Sequence, residues 1–130
     1  MEKTGQSQNN YWVEYYKKNK TTQSPSDFCL FVCENYSLKD VNILEICCGN
    51  GRDSYYLASK CKQITAVDKA VQIKGNNNLK SYCMDIVDFY KKNHEKHDIT
   101  YCRFGIHSIS ENIEDIVLHN SNEIFFEFRS

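Results

Sequence analysis

The chain has 130 residues, enough for one domain with a modest buried core. Its 16 Lys and Arg against 17 Asp and Glu leave a formal net charge of −1, so no global field draws it to nucleic acid or to an anionic membrane. No stretch is long and apolar enough to span a bilayer, and the N-terminus carries no apolar signal region, so the expected location is the cytoplasm.

Residues 1–10 are polar and have no apolar period. Residues 11–19 read as a helix bearing Tyr11, Trp12, Tyr15 and Tyr16, either a packing face or a lid over a neighbouring site. After a linker over 20–24, Ser24 is a candidate N-cap with Pro25 in the first turn. The helix that follows places Phe28, Phe31, Val32 and Asn35 on its expected buried face. Residues 37–40 turn into a strand.

That strand, Ile43-Leu44-Glu45-Ile46-Cys47-Cys48, reads as buried on both faces. It stops at Gly49-Asn50-Gly51, a turn that lets backbone approach a ligand closely. A helix over 52–60 comes next. A strand, a glycine turn and a helix start make a site for a nucleotide-like ligand at the carboxyl end of a sheet.

The second strand covers 63–67 and is tipped by Asp68, where nucleotide-binding folds place an acid for ribose hydroxyls; the alternative is a cap for the next segment. A short helix is expected over 69–74, broken by Gly75-Asn76-Asn77-Asn78. The third strand runs over 79–84, Asp85 is a candidate cap, and 88–93 is helical. His94 and His97 lie among Lys and Glu in a solvated loop, and no C-x-x-C pair exists, so no metal site is expected. The fourth strand covers 99–104 and ends at Gly105. Ser110 is placed to cap a helix over 111–118, residues 120–122 turn, and 123–128 form the last strand.

Strands alternating with helices predict an α/β fold with a parallel sheet and right-handed crossovers. The seven cysteines fall largely inside apolar patterns. With an odd count, they read as reduced, buried thiols of a cytosolic protein.

Glu45 interrupts an apolar strand, where an unpaired carboxylate is costly; it is a ligand-site carboxylate or a buried acid paired to a nearby base. The dinucleotide fingerprint G-x-G-x-x-G is incomplete, since Ser54 holds its third glycine position. Arg103, on an apolar strand, calls for a carboxylate partner.

Glu45-Ile46-Cys47-Cys48-Gly49-Asn50-Gly51 resembles the first motif, roughly E/D-x-G-x-G-x-G, of the class I S-adenosylmethionine-dependent methyltransferases, with Cys47 in place of the first glycine. ITAVDKA is similar to the second motif, YCMDIVDF to the third, and DITYCRFGIHSI and EIFFEFRS to the fourth and fifth strands. RFGIHSI also resembles the R-F-x-x-H-x-I string of small-molecule methyltransferases associated with glycan modification. The order and spacing of these motifs carry the likeness over most of the chain.

The resemblance implies a single Rossmann-like three-layer domain, with 1–40 as N-terminal helical segments and 41–130 as the nucleotide-binding core. The implied sheet order is 3-2-1-4-5. The family normally adds two further strands, so this chain reads as a fragment or as a minimal form with an exposed fifth strand. The implied cofactor is S-adenosyl-L-methionine, with S-adenosyl-L-homocysteine as product. Glu45 would help hold its methionine end, the cofactor would lie over Gly49, Asn50 and Gly51, and Cys47 would either crowd it or line its pocket. Asp68 would bind the ribose, Asp85 and Ile86 would flank the adenine, and Lys69 would be a further cofactor-binding residue. Tyr11, Trp12 and Tyr15 would close over it, where a sulfonium beside a ring gains about 0.5–2 kcal/mol. Arg103 would pair with the cofactor, with Glu45 or with Glu127.

The function that follows is methyl transfer to a small hydroxylated substrate such as a sugar or glycan precursor. His107 is the candidate base, and Arg103, Glu127 and Arg129 would orient the substrate. The N/D-P-P-Y/F string of amino-methylating nucleic-acid enzymes is absent, the only proline being Pro25. Two other readings stay open: a non-catalytic cofactor-binding or assembly domain, and an NAD-dependent oxidoreductase, which Ser54 and Glu45 disfavour. The expected partners are the small-molecule substrate and, through the edge of the fifth strand, a second copy or further residues of a longer chain.

Overall fold

The computed structural model describes residues 24–93, 96–103 and 111–127. The helix expected over 11–19 lies outside them.

The first described helix, α1, spans Asp27–Asn35. Its cap is Ser26, whose hydroxyl accepts the Cys29 N–H at 3.1 Å, rather than the expected Ser24. Pro25 therefore precedes the cap instead of occupying the first turn. The buried face also differs from the expected one. Cys29 and Val32 face the core, Phe28 is partly buried, and Phe31 is 56% exposed. The cause is tertiary: Ser26 is pinned from across the fold, and that fixes which side of the short helix meets the sheet.

β1 (Asn42–Ile46), β2 (Gln63–Asp68), β3 (Leu79–Cys83), β4 (Ile99–Arg103) and β5 (Glu123–Glu127) form one sheet in the order β3-β2-β1-β4-β5. Every pairing is parallel, as expected for an α/β fold of this class. In register, Ile46 lies between Val67 and Cys102 at the carboxyl edge. β1 is thus the central strand, and the topology reverses between it and β4, where open α/β sheets place their ligands.

Alternation along the strands divides the core into two layers. On one face Ile43, Ile64, Ala66, Ile99 and Tyr101 pack with Cys29 and Val32 of α1 and with Leu57 and Ala58 of α2 (Ser54–Ala58). On the other face Leu44, Ile46, Val67 and Cys102 pack with Ile86 and Phe89 of α3 (Ile86–Lys92) and Val117 of α4 (Glu111–His119). Burying each such aliphatic side chain is worth roughly 1.5–3 kcal/mol.

The helix expected over 69–74 does not form; the segment bends at Lys69 and Ala70 and is irregular over 71–74. Its polar groups find partners on β3. The Ile73 N–H donates to Ser81 Oγ at 3.0 Å, and Gln72 Nε2 donates to the Ser81 carbonyl at 3.1 Å. Ile73 itself enters the core. With its hydrogen bonds made outside the segment and its one apolar anchor buried, a helix of this length has nothing to gain.

Candidate functional site

The chain leaves β1 through three left-handed residues out of five: Cys47 at φ +60°, Gly49 at +59° and Gly51 at +84°. Glycine adopts this region freely, whereas Cys47 adopts it against its Cβ. The Cys47 N–H remains tied to the Val67 carbonyl at 2.8 Å, so the strand is continued for one more hydrogen bond while the side chain is redirected. Gly51 is required by packing as well as by its dihedral. A Cβ there would meet Tyr55 Cε2 at 2.9 Å and Ile73 Cδ1 at 3.0 Å.

Asp68, at the tip of β2, is joined to this turn. Its Oδ2 accepts the Gly49 N–H at 2.9 Å and its Oδ1 accepts the Ala70 N–H at 2.8 Å. The Val71 N–H is a third backbone donor to this carboxylate, which with about four lone-pair directions keeps room for a ligand hydroxyl. Burial pushes the Asp68 carboxyl above the usual carboxylate range, while the Ala70 and Gly49 N–H groups pull it back. No helix follows for it to cap. Asn50 Oδ1 accepts the Arg52 N–H at 3.1 Å and closes the turn locally.

Glu45 is 4% exposed, on the same sheet face as α2. Ser54 Oγ donates to its Oε1 at 2.5 Å. Burial raises its pKa well above the usual carboxylate range; the Ser54 bond opposes this, and the nearby Asp53 adds to it. Glu45 is therefore a buried, serine-bound acid beneath the turn, with its proton held more tightly than in a free carboxyl.

The Cys47 thiol lies in hydrogen-bonding contact with that of Cys102, at the end of the neighbouring strand. That contact first, and burial second, push the Cys47 thiol well above its usual value. A side chain here is directed into the β1/β4 seam.

Asp85 N-caps α3 through Oδ1, which accepts the Val87 N–H at 2.8 Å. Ile86 is buried in the second core layer. Lys69 follows the tip of β2, and its carbonyl accepts from Cys83 Sγ. Arg103 ends β4 half-buried and pairs in register with Glu127 at the end of β5. Tyr11, Trp12, Tyr15, His107 and Arg129 lie outside the described residues.

The structure thus brings Glu45, Cys47, the glycine turn and Asp68 to one edge, with Asp85 at the cap of α3 after β3 on one side and Arg103 at the end of β4 on the other. It adds a group that sequence reasoning missed. Asp53 is buried and accepts from the Ser26 N–H at 2.8 Å, Ser26 Oγ at 2.7 Å and Tyr101 Oη at 2.7 Å. The only sequence signal was an acid at a helix start, which reads as a local cap.

Among the described residues, no group of three or more His, Cys, Asp or Glu converges to hold a metal ion, and no helix is long and apolar enough to cross a membrane. The arrangement is a left-handed turn at the carboxyl end of β1, with Gly49 and Gly51 buried and Cys47 and Asn50 half-buried, and with Asp68 at the tip of the neighbouring strand bonded to it.

A family model described as tellurite resistance protein TehB matches residues 6–101. No curated protein and no solved structure matches the chain.

Proposed function

The chain belongs to the TehB family, of class I S-adenosylmethionine-dependent methyltransferase type, and on that premise we propose that it transfers a methyl group to a small-molecule acceptor. The observation that carries the reading is the bond from the Gly49 N–H to Asp68. It couples the left-handed turn after β1 to the acid at the tip of β2, at the edge where the sheet reverses direction.

The residues present fit the cofactor. Asp68 would accept ribose hydroxyls with its remaining lone pairs, with Lys69 beside it. Asp85 and Ile86 would border the adenine, the Asp85 oxygen not used in capping being the one available. Cys47, Gly49, Asn50 and Gly51 would line the methionine end, with Glu45 beneath them. Tyr11, Trp12 and Tyr15 would close over the site. When bound, S-adenosylmethionine supplies a sulfonium-activated methyl group for in-line displacement, and the protein mostly supplies position.

Two acceptor classes have support. A sugar-type hydroxyl, in a glycan precursor, is favoured by the R-F-x-x-H-x-I likeness of residues 103–109. Such a hydroxyl is a weak nucleophile, and His107 as base would contribute roughly 10²–10⁴-fold. Arg103, Glu127 and Arg129 would orient it. A chalcogen oxyanion is favoured by the family's description, and the matched span ends at residue 101, before that string begins. An acceptor atom that offers a lone pair and carries no proton to lose needs no base.

Calorimetry with S-adenosylhomocysteine on wild type and Asp68→Ala tests the cofactor assignment. Loss of the charge-assisted contact is expected to cost about 1.5–3 kcal/mol of binding. Equal affinity in the variant would refute the ribose role. Single turnover with sugar hydroxyls and with tellurite, on wild type and His107→Gln, separates the acceptors. A rate that falls only with the hydroxyl assigns the base, and a rate unchanged within a few-fold with either removes it.

A further inference from the structure

Asp53 stands at the start of α2, where an Asp ordinarily accepts from its own helix's N–H groups. It makes no such bond. Both of its oxygens reach across the fold instead. Oδ1 accepts the Ser26 N–H at 2.8 Å, and Oδ2 accepts Ser26 Oγ and Tyr101 Oη at 2.7 Å each. Ser26 Oγ in turn accepts the Cys29 N–H, so the chain of donors runs from the head of α1 into Asp53. The neighbouring Arg52 adds a second tie, Nε to the Ser24 carbonyl at 2.7 Å. Asp53, Ser26 and Tyr101 are all buried. Burial first, and the Asp53 carboxyl second, hold the Tyr101 phenol protonated far above its usual range, so it remains a donor.

We propose that Asp53 is a positioning residue for the cofactor site. It locks the turn over 47–53 to the head of α1 and to β4, and so presets the backbone that meets the ligand. The inference rests on the cofactor reading of that turn. Three facts distinguish it from a brace that serves the fold alone. Asp53 lies two residues from Gly51, and the next residue, Ser54, holds Glu45. α2 has five residues and no side-chain cap, so its start is held by these cross-chain bonds and by packing. The strands have their own ladders and core layers, so slack in the clamp is felt first in the turn.

The donor pattern dictates the test. All three partners donate, and a carboxyl group with both oxygens accepting satisfies them. An amide offers one accepting oxygen and sets its NH2 against a donor. Asp53→Asn keeps the shape and leaves one buried donor unmatched, and Tyr101→Phe removes a single donor while keeping the ring. Amide hydrogen exchange on the full ligand-free chain is read alongside calorimetry with S-adenosylhomocysteine. In Asp53→Asn the amides of residues 49–52 are expected to exchange about tenfold faster or more, and affinity to fall by about as much, the effect of one unmatched buried donor. Amides of β2 and β3 are expected to keep their wild-type protection. Tyr101→Phe is expected to move both readouts the same way by less, and it carries the comparison alone where Asp53→Asn fails to fold. Faster exchange spread equally over the sheet would overturn the proposal and make Asp53 a general brace. So would wild-type protection and affinity in both variants. Absence of binding to the wild type would overturn the cofactor reading and the positioning role with it, while a local exchange difference would still identify the clamp as a property of the turn.

Discussion

Glu45 shows at the residue scale how a site can carry an acid at the cost of fold stability. The unfolded side chain ionises near 4.5, and burial raises the folded value well above that. Below about pH 4.5 both states hold the proton, and stability is full with respect to this group. As pH rises past that point, the unfolded chain releases its proton while the folded chain keeps it, so stability declines toward the folded pKa. Asp68, also raised by burial, contributes with the same sign. Glu45→Gln retains an oxygen for the Ser54 hydroxyl and does not titrate. Its urea midpoint is expected to rise relative to wild type between about pH 5 and about pH 8. A gap that stays constant across that interval would mean that Glu45 is not the titrating group. At Cys47 the chain keeps a left-handed conformation without glycine, and the redirected thiol meets Cys102. The motif likeness showed that the residue was unusual. It did not show where the side chain goes, because that depends on a strand more than fifty residues further along.

At the scale of elements, the strands were legible and the helices less so, for a physical reason. A strand buried on both faces is a nearly unbroken apolar run, and β1, β2 and β4 carry that run in their own sequence. The helices here are short and depend on tertiary partners. α2 has one turn and a half, and its stability comes from Leu57 and Ala58 against β2 rather than from propensity. Leu57→Ala is accordingly expected to cost about 2–5 kcal/mol in denaturant unfolding, a full core penalty from a five-residue helix. A loss below about 1 kcal/mol would show that the site collapses around the smaller side chain. The candidate site divides the same way. The glycine turn, Asp68 and Asp85 are legible because each is a local sequence signal at a strand end. The Asp53 clamp is not, since its partners Ser26 and Tyr101 lie 27 and 48 residues away. The irregular course of 69–74 is hidden for the same reason, its hydrogen bonds being made to Ser81.

At the scale of the whole molecule, the two edges of the sheet are unlike. β3 is shielded in part by the segment over 69–74 that bonds to Ser81. β5 pairs with β4 on one side, and among the described residues no strand lies on its other side. Tyr36 stacks on Phe125 at 4.7 Å and covers a face of β5, though not its backbone edge. An open parallel edge recruits another strand. Self-association through β5 is therefore expected, visible in light scattering as a mass that rises with concentration, and Ile124→Lys is expected to reduce it. A concentration-independent monomer in the wild type would contradict this. The parallel topology has a further consequence, in time rather than in space. A hairpin can close early, but here no strand pairs with a neighbour joined by a tight turn. Ile43 must find both Ile64 and Ile99 before the central strand is complete. Such non-local pairings close their loops before they gain contacts, which makes folding slow. The reversal point between β1 and β4, and the turn that rests on it, can acquire their geometry only after the most distant of those pairings has been made. In a chain emerging from the ribosome, the edge proposed to hold the cofactor would be among the last parts to mature, and a ligand bound there during synthesis would act on the final step rather than the first.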